Sequence, residues 1–68
     1  MKSGYFIMRL WQTGNVGSHN IERLDGQHKN GYSTYNQAKH AMIDMREEGN
    51  WELNHKGFNF TIMELFFN

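Results

Sequence analysis

The side chains that most often do chemistry are few in this sequence and poorly spaced for it. The histidines are His19, His28, His40 and His55. None falls in an HxH or HExxH spacing, where two ligands share one side of an element and can grip one ion. His40 and Asp44 come nearest, with Glu47 close by. Placed one helical turn apart they share a face and could fill two positions of a zinc site. Spacing implies no third ligand, and this face turns away from the apolar stripe of the same segment. The pair therefore reads as a solvent-exposed surface contact, and no metal is expected.

Nucleophilic and acid–base chemistry fare no better. An activated nucleophile needs an adjacent base and a group that orients that base. Ser18-His19 and Ser33-Thr34 lie in turn or cap positions, where hydroxyls bond to the backbone. Glu47-Glu48 closes a helix on its solvent side, whereas working carboxylate pairs converge across a cleft. Gly14-Asn15-Val16-Gly17 lacks the Lys-Ser/Thr and the following helix of a phosphate loop and reads as a hairpin turn. The expectation is a protein without catalytic residues and without a cofactor.

A chain of 68 residues supports a single domain, residues 1–68, with a thin core. Cysteine is absent, which removes disulfides and thiolate metal sites and fits a reducing compartment. Seven Lys and Arg balance seven Asp and Glu, so no long-range field draws the chain to phosphate backbones. Tyr5-Phe6-Ile7-Met8 is broken by Arg9 too soon for a signal peptide, and no apolar run approaches a membrane span. The expected location is the cytoplasm. Aromatic residues reach 15% although the mean hydropathy is −0.79, so the apolar surface is concentrated in a few large side chains.

The elements that would position these groups are short and punctuated by glycine. Residues 5–12 predict a strand, with Phe6, Met8 and Leu10 on one face and Tyr5, Ile7, Arg9 and Trp11 on the other. Only the first set is uniformly apolar, which assigns it to the core. Residues 18–24 predict a weaker strand, in which Ile21 and Leu24 break alternation unless a bulge intervenes. Asp25-Gly26 and Asn30-Gly31 are turn dipeptides. Thr34 and Gln37 match a capping box, with Ser33 a competing cap. Tyr35, Ala38, Ala41, Met42 and Met45 then form an apolar helical stripe that ends at Glu48 before Gly49-Asn50. Ile43 is a stray apolar residue on the outer face. Residues 51–53 suggest a short strand and residues 58–67 a strong one, with Phe58, Phe60 and Ile62 facing one way.

The expected fold is α+β: a three- or four-stranded, mostly antiparallel sheet with one helix packed on one face, in ββαββ order. One helix covers one face of a sheet. The bare face is expected to carry Tyr5, Ile7, Arg9 and Trp11 with Asn59, Thr61, Met63 and Leu65. Two readings of that face stand side by side: loops fold over it, or it is a partner surface. A protein partner, bound by occlusion through Tyr5, Ile7, Arg9, Trp11, Thr61, Met63 and Leu65 or through the C-terminal Phe66 and Phe67, is the favoured use. A homodimer burying the same face is a second use. The runner-up function is a single-stranded nucleic-acid binder that stacks unpaired bases on Tyr5, Arg9 and Trp11, with Lys2 near a phosphate, which net neutrality disfavours; a small structural component of a larger particle is the third.

Three segments carry a resemblance: Tyr5-Phe6-Ile7-Met8, Tyr32-Ser33-Thr34-Tyr35-Asn36-Gln37-Ala38 and Gly57-Phe58-Asn59-Phe60-Thr61. In layout they are similar to small accessory proteins encoded by bacteriophages, including a coliphage inhibitor of host RNA polymerase and several anti-CRISPR proteins. The resemblance implies a stoichiometric inhibitor of a host enzyme or defence complex, acting in the host cytoplasm. It carries over no functional residue, and the neutral charge departs from the charged surfaces of the polymerase inhibitors.

Overall fold

A computed structural model of the chain describes residues 2–12 and 19–68. Strand β1 (Lys2–Gln12) is followed by β2 (His19–Arg23), helix α1 (Tyr35–Glu47) and β3 (Asn59–Phe67). The three strands form one antiparallel sheet in the order β2-β1-β3. The fold is α+β, with one helix beside one sheet. The turn expected at residues 13–17 and the residue Ser18 lie outside the described residues.

The order is β-β-α-β, which corrects the expected ββαββ plan and its fourth strand. Residues 51–53 form turns instead. The Asn50 side-chain carbonyl accepts from the backbone N–H of Glu52 and of Leu53, and the Asn54 N–H donates to the Asn50 backbone carbonyl. An Asx side chain that takes up the following amides diverts them from a ladder. Leu53 is apolar because it plugs the core, where it is 5% exposed.

The helix follows its sequence signals closely. Thr34 caps it, its hydroxyl accepting from the Gln37 N–H at 3.1 Å. The reciprocal bond goes one residue further out than a simple capping box, from the Ser33 N–H to Gln37 Oε1. At the other end the Gly49 N–H reaches the Arg46 carbonyl and the Asn50 N–H the Met45 carbonyl. These are the two bonds of a Schellman motif, and Gly49 supplies the φ of +87° it requires.

β2 ends at Arg23, so the irregular Leu24 needs no bulge. Its N–H donates to the Ile7 carbonyl while its side chain turns into the core. Ile7, Leu24 and Leu53 are buried at its centre, packed by Ala41, Met42 and Met45 of α1, by Phe60 and by Tyr32. Directly opposed residues of an antiparallel pair share a face. Ile7 opposes Ile62 and Arg9 opposes Phe60, so the face of β1 bearing Tyr5, Ile7, Arg9 and Trp11 lies on the helix side. The phase of β3 is as the sequence predicts; the phase of β1 is the reverse.

Phe6 and Met8 are buried too, but from the other side of the sheet. There the chain between β2 and α1 folds over Phe6. The Arg23 guanidinium lies 4.2 Å from its ring centroid, and a Cβ on Gly31 would meet the ring at 2.9 Å. A Cβ on Gly4 would overlap the Asn30 carbonyl, so the backbone passes tightly across this end of the sheet. Part of the helix-free face is therefore loop-covered and part is open.

Candidate protein-binding surface

The residues expected to share one bare face are split between two. Tyr5 is half-buried against Tyr35 of the helix, in an edge-to-face contact with centroids 6.4 Å apart. Ile7 is the centre of the core. Ile7 is removed from the surface that a partner could touch and Tyr5 is turned to the helix side, because the helix stripe needs the apolar side of β1 that lies opposite Phe60 and Ile62.

Arg9 and Trp11 lie on the same side, beyond the end of the helix, under the turns at residues 50–58. The Arg9 guanidinium sits 4.8 Å from the Trp11 ring centroid and 5.0 Å from that of Phe58. It pairs with Glu22 at 2.9 Å and also with Glu52. The cation is thus covered by two rings and neutralised by two carboxylates, which is what makes a charged residue tolerable on the core side of a strand. His55 stacks on Phe58, and Trp51 meets both rings at the outer end. Trp51 is 66% exposed and is the most solvent-exposed large apolar side chain described.

Thr61, Met63 and Leu65 do lie on the helix-free face, opposite Met8, Phe6 and Gly4. Leu10 and Ile21, which oppose each other across β1 and β2, share that face. Ile21 is 46% exposed and Met63 38%, while Leu10 and Leu65 are half-buried. Phe67 is on this face at its far end, opposite Lys2; Phe66 points to the helix side, opposite Ser3, and is 64% exposed. Leu10 and Ile21 were missed by sequence reasoning because the inverted phase of β1 sent Leu10 to the core. A face-by-face comparison of β1 with β3 finds them only when the cross-strand register is known.

The open face carries apolar and uncharged side chains through its middle. Its charged members are Lys2 at one end and Arg23, which is drawn onto Phe6. Among the described residues it presents no paired acid and base. His40 and Asp44 are exposed on the helix, as spacing implies, and among the described residues no three His, Cys, Asp or Glu side chains converge as a metal site. No described helix is long and apolar enough to cross a membrane. What this geometry offers is an apolar contact area on a rigid sheet. Compared with protein family models, with curated proteins and with solved structures, the chain finds no match.

Proposed function

We propose that the protein is a non-catalytic protein-binding module that acts by occlusion, and that its contact surface is the helix-free face around Leu10, Ile21, Met63 and Leu65. One observation carries the reading: on the side of the sheet opposite the helix, exposed Ile21 lies directly across from half-buried Leu10, and exposed Met63 lies further along the same face, opposite Phe6. Interface centres favour such side chains and exclude charge. The partner of this reading is a host protein or complex, and the protein is an inhibitor of phage or mobile-element type working in the host cytoplasm. The similarity in plan to phage accessory proteins supports that version.

A second reading, stacking of single-stranded nucleic acid, draws on exposed Trp51 beside His55 and Phe58. It is the weaker one because the cation beside these rings, Arg9, is already held by Glu22 and Glu52.

Affinity capture from host lysate tests the choice when wild type is run beside Ile21→Lys and Trp51→Ala. A partner kept by wild type and Trp51→Ala but lost by Ile21→Lys supports the open face. Equal capture by all three removes that face as the contact. Quenching of Trp51 fluorescence by an oligonucleotide at low salt, lost in Trp51→Ala, would favour the second reading instead.

A further inference from the structure

The outer edge of β3 is a second surface, at right angles to the open face and independent of the reading above. Its chemistry follows from the hydrogen-bond directions in β1. The Ile7 N–H and C=O both point toward the β2 side, to Gln27 and Leu24, and those of Tyr5 point the same way, to Tyr32. In an antiparallel sheet both polar groups of a residue point to one neighbour, and residues alternate. The bonds between β1 and β3 are therefore made by Gly4, Phe6, Met8 and Leu10 with Leu65, Met63, Thr61 and Asn59. The backbone groups of Phe60, Ile62, Glu64 and Phe66 point outward. Among the described residues nothing bonds to them.

Protein edges are normally blunted by short strands, proline, lysine or a bulge. β3 has none of these: it is nine residues long, reads Asn-Phe-Thr-Ile-Met-Glu-Leu-Phe-Phe, and carries a single charge, Glu64.

We propose that β3 pairs antiparallel with β3 of a second copy of this chain, with the two-fold axis at Met63, to make one continuous six-stranded sheet. The strand is self-complementary in that register. All nine residues find partners, and the outward-pointing residues meet one another, Phe60 with Phe66 and Ile62 with Glu64 of the second copy, each pair exchanging both its bonds. Glu64 faces an isoleucine and not its own copy, whereas a two-fold axis at Glu64 would set two carboxylates face to face. The Ser3 hydroxyl, 2.8 Å from Glu64 Oε2, ties that carboxylate to its own chain. Phe66, 64% exposed in the single chain, gains an aromatic cross-strand partner. On the other side Met63 meets Met63, so the two open faces merge into one.

The absence of cysteine makes the register directly testable. Opposed residues at a two-fold axis have Cβ atoms about 5 Å apart, near enough for a disulfide after a small adjustment. Met63→Cys should oxidise to a covalent dimer. Thr61→Cys lies on the same strand face, but its counterpart is four positions away along the strand, about 13 Å, and should remain mostly uncrosslinked. Light scattering across a dilution series should give twice the 8.1 kDa chain mass at high concentration. Glu64→Pro removes an outward N–H, which edge positions tolerate, together with the exposed Ser3–Glu64 bond, and should return the mass to that of the single chain. Ile21→Lys, on the opposite edge strand, should leave the dimer intact, which separates this proposal from the open-face one. A single-chain mass at every concentration, a dimer unmoved by a folded Glu64→Pro, or equal crosslinking at both cysteine positions would each overturn it. If Glu64→Pro fails to fold, the two cysteine variants decide alone.

Discussion

The Gln27 side-chain amide serves Ile7 as a neighbouring strand would: its Oε1 accepts from the Ile7 N–H at 2.8 Å and its Nε2 donates to the Ile7 carbonyl at 2.9 Å. The same Nε2 donates to the Leu24 carbonyl at 2.8 Å. β2 pairs with β1 only from Met8 onward, and Tyr32 pairs with Tyr5. Gln27 fills the gap between them, so the central strand has backbone partners on that side although no regular strand runs there.

Gln27→Ala is therefore expected to leave the N–H of the fully buried Ile7 without a partner. The Ile7 carbonyl keeps its bond from Leu24. The Leu24 carbonyl loses its bond from Gln27 as well, and one orphaned buried donor alone corresponds to about 1–3 kcal/mol of lost stability. Gln27→Glu keeps an acceptor for the N–H but turns a carboxylate toward two carbonyls, and should be no better than alanine. Urea unfolding followed by far-ultraviolet dichroism measures both; a midpoint unchanged in Gln27→Ala would show that water replaces the amide freely.

Two glycines make a second prediction, because only one of them has space beside it. Gly4→Ala would drive a methyl group into the Asn30 carbonyl, a backbone atom with little freedom to yield. Overpacking of this kind costs on the order of 3 kcal/mol. Gly26 has open space around it but a φ of +92°, so Gly26→Ala should cost only about 1–2 kcal/mol of backbone strain. Thermal melts of the two variants should rank in that order, and a Gly4→Ala protein as stable as wild type would contradict the close loop crossing.

The helix, its caps and the phase of β3 were legible in the sequence because each rests on short-range rules. A threonine cap, a stripe of small and apolar residues, and Gly49 need only neighbours within a few positions. The phase of β1 rests on long-range pairing and was not legible. Its Tyr5, Ile7, Arg9 and Trp11 face looked too polar for a core, because the residues that neutralise Arg9, Glu22 and Glu52, lie far along the chain. The Phe6, Met8 and Leu10 face looked like the core because nothing local announces that a loop, and not the helix, would cover Phe6. Of the candidate contact residues, Thr61, Met63 and Leu65 lie on the helix-free face, and the β1 members on that side are the alternate ones.

The Arg9 cluster should behave as a structural unit. Arg9 and Glu52 are both largely buried side chains, at 18% and 12% exposure, whereas Glu22 is at the surface. Arg9→Ala removes the cation, both ion pairs and the packing on Trp11 and Phe58, and leaves Glu52 buried without its partner. The expected loss is about 3–5 kcal/mol. Glu22→Ala should cost no more than about 1 kcal/mol, a difference that added salt further narrows. A double-mutant cycle between Arg9 and each glutamate reads the two couplings separately. Equal coupling energies would mean that burial does not set the strength of these pairs.

The assignment of the two sheet faces makes the last prediction, and it needs no partner to be known. On the helix side Ala38 is fully buried where α1 approaches the sheet. Ala38→Leu must force the helix outward and should cost about 1–3 kcal/mol. On the open side, Ile21→Lys places a charge where Ile21 is already 46% exposed, and should change stability by no more than about 0.5 kcal/mol. Leu10→Ala is the intermediate case, since its side chain is neither fully buried nor exposed. Solubility should move the other way: Ile21→Lys removes apolar surface and should raise the concentration at which the protein precipitates. If Ile21→Lys unfolds the domain while Ala38→Leu does not, the sheet is covered on the side assigned here to the partner, and the open-face reading falls with it.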